Sequence, residues 1–503
     1  MSFDTNIHNR LSKEEKELFS ILKEVGRQKT PSTTIRVVGG WVRDKLLGIY
    51  SDDIDIMLDN ISGEDFAHCV TTFLKVKGPH LIKENPQKSK HIQTAKAYIP
   101  LSAEHVQEVD FAVARAEMYK ADSRIPDIKP ATAEEDAMRR DLTINSLFYN
   151  LNNDEVEDFT GKGINDLRTS TIRTPTNPLK TFTEDPLRIF RVIRFAAKYN
   201  GTIGDETYKA MMDPSLRDEI KQKISKERIG AEISKMFKNP YPLYAIRLLK
   251  DTGLLDDIIV EALKGTCYEG RMAPLDMDQQ TIYHHFTLWE HTMKVITRII
   301  DIYKGAEKEK IMVMILAALM HDLGKLSIDI QAASLTRPDD LTYYGHQKES
   351  AKIAKHILHY LKMGPYSEQV AGLATYHMRP YQFTKKVGNS PKSMRRFIRQ
   401  MREKSLDWKD VFNLAVADAF SKTEHIDEEL ARHYKAAENE LKLLDKETTI
   451  KPVLNGNEVM RILKIKPGPR MTEIMEFVKE LRDENPKITK EEASALLKRK
   501  YCN

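Results

Sequence analysis

Hydrophobic and polar positions follow two different periods along this chain, and the period changes once. Up to about Lys29 apolar residues recur every three to four positions, which predicts one amphipathic leading helix. From Thr34 to about Thr174 short alternating or β-branched runs are mixed with helical ones. Strands are predicted over residues 36–38, 54–58, 94–99 and 106–115. After Asn177 the strands stop, and helical periodicity continues almost to the end. It breaks at Pro240, around residues 265–274 and around residues 386–391. The last segment, from Pro452, carries a Pro467-Gly468-Pro469 turn between two helical stretches. The pattern predicts an α+β protein with a small α/β head and an elongated all-α body. Its expected divisions are a helix over 1–30, the head over 31–175, and helical parts over 176–270, 271–445 and 446–503.

The stretch from Ile35 to Leu58 concentrates the chemistry of the head. A short β-branched run ends at Val38; Gly39 and Gly40 follow, then Trp41-Val42-Arg43-Asp44 opens a helix. Paired glycines let backbone approach a phosphate, and a helix N-terminus behind them favours anions. In the next strand Asp53, Asp55 and Met57 share one face, and Ile54, Ile56 and Leu58 the other. Adjacent carboxylates repel unless cations lie between them, which is how a divalent-metal site is built. In residues 106–115 Glu108 and Asp110 again share a face opposite Val109, Phe111 and Val113. Either supplies a third acid, with Asp110 preferred. Metal beside a phosphate cradle implies nucleotidyl or phosphoryl transfer.

Composition narrows the class without naming the reaction. The chain has 503 residues, 41% hydrophobic and 30% charged, as expected of a globular chain of about three domains. The net charge of +5 means that nucleic-acid affinity must come from local patches. Cys69, Cys267 and Cys502 are too scattered for a disulfide framework or a zinc knuckle, which suits a reducing cytoplasm. The first residues lack the apolar core of a signal peptide, and the longest apolar run, 311–320, is too short to span a bilayer.

Three further groups carry chemistry. Arg139-Arg140-Asp141 precedes an apolar run; arginine matches phosphate oxygens, and Asp141 either accepts from a ribose hydroxyl or caps a helix. In residues 183–199 Asp185 is the expected N-cap before Pro186, and Arg188, Arg191 and Arg194 step by three along one side. With no acid beside them, these arginines call for an anionic partner. The helical half holds an ordered set, His291, His321, Asp322, His346, His377 and Asp418; several follow apolar stretches, where a bound metal offsets the cost of burial. Lys325 would hold a phosphate or cap a helix. Lys392, Arg395, Arg396, Arg399 and Arg402 form a one-signed helix side, and Lys464, Lys466 and Arg470 flank the Pro-Gly-Pro turn. Both are expected RNA contacts.

The blocks GGWVRD with DDIDI, RRDLTINSL, DFTGKGINDL, TEDPLR and SKERIG resemble those of class II tRNA nucleotidyltransferases (CCA-adding enzymes) and the related bacterial poly(A) polymerases. The set around His321-Asp322-Leu323-Gly324-Lys325 resembles the HD phosphohydrolase domain. The resemblance implies a polymerase-β-like head over 31–175, a neck and RNA-binding region over 176–270, an HD domain over 271–445 and a tRNA-binding tail over 446–503. It implies Mg2+ on Asp53 and Asp55, and Gly40, Arg43 and Arg140 among the nucleotide-binding residues. Asp141 would lie near the sugar, Asp185 and Arg188 would read the base, and Arg191 and Arg194 would contact phosphates. The six His and Asp residues would hold one or two ions, Mg2+ or a transition metal. The expected activity is template-independent addition of C and A to tRNA from CTP and ATP, with an auxiliary phosphatase or phosphodiesterase. A poly(A) polymerase and an enzyme adding only CC or only A remain alternatives.

Overall fold

The computed structural model describes residues 4–502 apart from 82–94, 103, 121–122, 282–283, 334–339 and 386–389. The chain forms two compact units, Met1–Leu255 and Asp256–Asn503.

The first unit opens with α1 (Lys13–Lys29), capped by Ser12 and Glu15 in a reciprocal capping box. A seven-stranded sheet follows, built from β1 (Ile35–Val38), β2 (Ile54–Leu58), β3 (His80–Leu81), β4 (Ala95–Pro100), β5 (Val106–Val113), β8 (Phe148–Asn150) and β9 (Glu155–Glu157) in the order β3-β4-β5-β2-β1-β8-β9. β6 (Arg115–Lys120) and β7 (Ser123–Pro130) form a separate hairpin. The predicted strands are present, although Thr94 lies outside the described residues. β8 and β9, three residues each, close one edge; they are too short to show a period. β2 starts at Ile54, so Asp53 stands just before it. Met57, on the acidic face, is covered by Ala133, Ala137 and Phe148. That face is therefore wet only at the β2 N-terminal end.

Between β1 and β2 lies α2 (Gly40–Leu46). It is pinned by Trp41 Nε1 donating to Glu15 Oε1 at 3.1 Å and by Lys45 on Glu15 at 2.7 Å. Helix α3 (Leu187–Tyr199) follows Pro186, and α4 (Lys226–Phe237) packs beside it. Strands do not stop at Asn177. Thr202–Ile203 pairs in parallel with Thr171–Ile172, and a second two-residue ladder joins Ala332–Ala333 to Leu341–Thr342.

The second unit is helical around one buried centre. Its elements include α5 (Leu288–Ile302), α6 (Lys308–Met320), α7 (His346–Tyr360), α8 (Ser367–Tyr376), α9 (Pro391–Glu403) and α10 (Trp408–Ala419). The last part has a core of its own, Val453, Leu454, Val459, Ile474, Val478, Leu481, Ala493 and Leu497, gathered from α11 (Gly456–Leu463), α12 (Arg470–Glu484) and α13 (Lys490–Tyr501).

One expected RNA surface is corrected here. The arginine side of α9 is covered by acids of α12. Arg399 is 1% exposed and holds Asp483 and Glu476, each at 2.8 Å. Arg395 donates to the Asp483 and Glu484 carbonyls at 2.7 and 2.9 Å, Arg396 pairs with Glu480, and Lys392 with Glu484. Arg402 pairs with Asp445. Along the sequence no acid interrupts these side chains before Glu403, because most of their partners lie roughly forty to ninety residues later. Arg399→Ala leaves Asp483 buried without a counter-charge and is expected to destabilise the second unit by about 3–5 kcal/mol in denaturant unfolding. Arg399→Met with Asp483→Leu is expected to recover most of that loss. Lys464, Lys466 and Arg470 are all exposed around the turn between α11 and α12.

Candidate active site and metal centre

The head site is assembled by strand register. β2 and β5 pair in parallel with Asp55 opposite Asp110, and β1 pairs on the other side with Val38 opposite Asp55. Glu108 lies two residues away along β5 and is bound by Lys96 of β4, which also stands 3.6 Å from Asp110. Register thus brings Asp110 rather than Glu108 beside Asp55. Burial, then the charges of Asp53 and Asp110, push the Asp55 carboxyl up to about 6. Burial also raises Asp110, against the pull of Lys96. Asp110 Oδ1 is buried with no hydrogen-bond partner. A cation-hungry pair of acids fits a divalent metal.

This shift carries a pH prediction. Between about 4 and 6 the folded chain holds a proton on Asp55 that the unfolded chain has released. In metal-free protein this contribution to stability is therefore lost as pH rises through that window. Protons also compete with metal, so the Mg2+ concentration for half-maximal activity is expected to rise as pH falls below about 6. Titration of activity with Mg2+ at pH 5.5 and 7.5 checks this; equal midpoints would refute it.

The Gly39–Gly40 turn lies next to these acids, directly after Val38. Gly39 has φ +75°, and a Cβ there would stand 3.1 Å from Arg140 Nη1. Arg140 and Arg139 are both held by Asp136, a buried carboxylate absent from the sequence reading. Its signal was present: Asp136 lies three and four residues before the arginines on one helical turn. Arg140 also stabilises the ionised form of Asp55, so its charge bears on the acidic face.

Other residues find protein partners. Arg43 is 5% exposed and grips both oxygens of Asp44 at 2.9 Å, which corrects its reading as a nucleotide ligand. Gly40 stays at the start of α2, below the Arg43 guanidinium. Asp141 accepts from the Leu142 amide and Asn145 on one oxygen and from Arg191 at 2.7 Å on the other. It caps a turn and pairs with Arg191, so its acceptors are engaged within the protein. Arg194 is neutralised by Glu232 at 2.6 Å, which corrects its reading as a phosphate contact. The acids missing around these arginines come from distant segments. Asp185 lies one residue before the cap position and accepts from the Leu187 amide at 3.2 Å; its other oxygen faces Arg228 at 3.4 Å. Arg188 is next to it at the N-terminal end of α3, donating to the Arg139 carbonyl at 2.7 Å.

In the second unit all six expected ligands converge. His291, His321, Asp322 and Asp418 form one set and Asp322, His346 and His377 another, with the ligand atoms of each set within 4.8 Å of one another. Asp322 belongs to both. Its Oδ2 lies 3.7 Å from His291 and 3.4 Å from His321, and its Oδ1 lies 3.2 Å from His346 and 3.8 Å from His377. Each imidazole donates from Nδ1 to a backbone carbonyl, at Ser421, Ala318, Tyr343 and Ala374, and leaves Nε2 without a hydrogen-bond partner. That tautomer aims four lone pairs into one buried space, the arrangement metal-ligating histidines adopt. Burial holds His291 below its usual pKa and brings His377 down to about 3, so both stay neutral. Burial opposes ionisation of Asp322 and Asp418, but the imidazole and lysine beside each outweigh it and hold both carboxyls well below the usual range: His321 and Lys325 for the first, Lys422 and His291 for the second. The donor set fits divalent metal: these residues would hold one or two ions, with Asp322 common to both groups.

Gly324 allows the tight approach of the His321-Asp322 turn to α7. A Cβ there would stand 2.1 Å from the His346 carbonyl, and the Gly324 amide donates to Ser350 Oγ at 2.8 Å. Lys325 is engaged internally: Asp322 at 2.7 Å, Gln279 at 2.9 Å and His284 at 3.4 Å account for its three donors. It therefore acts as a counter-ion to Asp322, correcting its reading as a phosphate ligand. His284 and Gln279 carried no spacing that would have singled them out.

Three family descriptions match in sequence order: Poly A polymerase head domain over residues 35–173, probable RNA and SrmB-binding site of polymerase A over 202–263, and HD domain over 288–423. A tRNA nucleotidyltransferase of Schizosaccharomyces pombe is 31% identical, with 97% of this chain and 96% of that one aligned. The chain belongs to the tRNA nucleotidyltransferase family. A second family member, the mitochondrial CCA tRNA nucleotidyltransferase of Candida glabrata, is 31% identical over 92% of this chain and 90% of its own. The family fold is shared with a CCA-adding enzyme solved in an apo form, at 17% identity and a TM-score of 0.62, covering 98% of this chain and 96% of that one. No helix among the described residues is long and apolar enough to cross a membrane.

Proposed function

We propose that this enzyme extends tRNA 3′ ends with C and A from CTP and ATP, without a template, and that its HD domain is an auxiliary phosphohydrolase. The observation that carries the reading is Asp55 in register with Asp110 beside the Gly39 turn and Arg140, in a chain aligned end to end with tRNA nucleotidyltransferases. Asp53, Asp55 and Asp110 hold Mg2+ in this reading. Such ions supply charge for the triphosphate and a more acidic 3′ hydroxyl. Arg140 faces the phosphates and the Gly39–Gly40 turn lets them approach. Asp185 and Arg188 read the base edge: the carboxylate accepts the exocyclic amine of C or A, where U and G present a carbonyl.

The five divisions at 30, 175, 270 and 445 are retained as proposed functional parts, with Lys464, Lys466 and Arg470 the tail's contacts to tRNA. The six HD residues hold divalent ions that supply an activated water to a phosphate ester. Three free cysteines suit the reducing cytoplasm, the compartment we propose.

The test uses tRNA trimmed to its discriminator end and incubated with each NTP, with product length read on a gel. CTP alone is expected to add two residues and CTP with ATP three. A product stopping after two residues, or growth by A alone on a tRNA ending in CC, would replace full addition with a partial enzyme. Long ATP-dependent tails on any RNA would replace it with a poly(A) polymerase.

A further inference from the structure

Arg188, Arg191, Phe195 and Tyr199 occupy positions i, i+3, i+7 and i+11 of α3 and so form one stripe. The two arginines meet the Arg139–Asp141 turn and the two aromatic rings meet α2. Arg188 donates to the Arg139 carbonyl, and Arg191 to Asp141, both at 2.7 Å. The Arg43 guanidinium lies 5.0 Å from the Phe195 ring centroid and 5.5 Å from that of Tyr199. The Tyr199 hydroxyl donates to Asp44 Oδ1 at 2.9 Å. Arg43 also donates to Asn145, and Asn145 donates to Asp141 at 3.0 Å. The contacts therefore close a ring from α2 through the RRD turn to α3 and back. Arg43, Asp44, Asp141 and Asn145 are all buried.

We infer that this four-rung contact sets nucleotide selectivity from a distance, with Arg43, Asp44, Phe195 and Tyr199 acting as positioning residues that never touch the nucleotide. The inference rests on base reading by Asp185 and Arg188. These two residues sit at one end of a rigid helix, and Tyr199 fastens the other end, about 16 Å away at 1.5 Å per residue. A tilt of a few degrees at Tyr199 moves Arg188 by about 1 Å, a misplacement that can cost about a hundredfold. Hydrogen bonds to a base edge are directional, whereas charge on the triphosphate falls off slowly. Loosening the rungs therefore removes discrimination before it removes binding. The metal acids lie on β2 and β5, outside the ring of contacts, so Mg2+ dependence is unaffected.

The test compares the full-length chain with Tyr199→Phe, which removes one hydroxyl, and Phe195→Leu, which removes the ring beneath Arg43. Dissociation constants for CTP, ATP, UTP and GTP are measured with Mg2+ and without tRNA. The expected result is a preference for CTP and ATP that falls about tenfold or more in each variant, with the Mg2+ midpoint for addition unchanged. Ile233→Ala, in the core of α4, serves as a control for destabilisation and is expected to lower Tm while keeping the preference. Wild-type preference retained in both variants, an equal loss in the control, or no preference in the wild type would each overturn the inference. The proposed function fails separately, when the wild type does not extend trimmed tRNA.

Discussion

Asp55→Ala is expected to abolish nucleotide addition while leaving tRNA binding intact. Asp55 is the central acid of the head, flanked in register by Val38 and Asp110 and adjacent to Asp53. Its carboxyl is pushed up to about 6, so the protein holds it in an environment that favours a cation. Removing a ligand to the metal forfeits transition-state charge stabilisation of several kcal/mol, and about 4 kcal/mol is roughly a thousandfold in rate. Fold stability is expected to hold or rise, since the substitution relieves repulsion among acids. Primer-extension rates and tRNA retention on a native gel, measured together, check this. A variant with wild-type addition would remove Asp55 from the metal site.

Asp322→Asn is expected to have the largest effect in the helical half. Its carboxylate is the only residue common to both ligand sets among the described residues. Asparagine keeps the shape but loses the charge, so both ions are expected to leave, with bound divalent metal falling from about two per chain towards zero. Hydrolysis of p-nitrophenyl phosphate or 2′,3′-cyclic AMP is expected to fall by about a thousandfold, on the same several-kcal/mol scale. Addition to tRNA is expected to stay within about twofold, because the head acids are built from a separate unit. Metal content retained at the wild-type level would refute a shared ligand. Loss of addition along with hydrolysis would show that the two activities are not separable.

The two sites differ in how they could be read in advance. The six His and Asp residues were legible as a set because several of them follow apolar runs in which an unpaired polar group is costly. The structure adds the division into two sets and the tautomer that aims Nε2 inward. The arginines misled for the opposite reason. Apart from Glu403 beside Arg399, the acids that hold them, Asp141, Glu232, Glu476 and Asp483, reach them from other segments. Arg43 read as a ligand because it lies beside the glycine turn, yet its neighbours in space are Asp44, Asn145, Phe195 and Tyr199.

Local pattern alone determined the strand carrying Asp55, the turn at Gly39–Gly40, the neck helix and the buried His and Asp set. Each of these is encoded by period, cap or cost of burial within a few residues. Tertiary structure decided which third acid faces Asp55, which basic residues stay exposed and how α3 is fastened to α2 and the Arg139–Asp141 turn. Those outcomes depend on strand register and on partners tens of residues away. Neither leaves a mark on the local period, because a charge looks the same in sequence whether water, a phosphate or a buried carboxylate neutralises it.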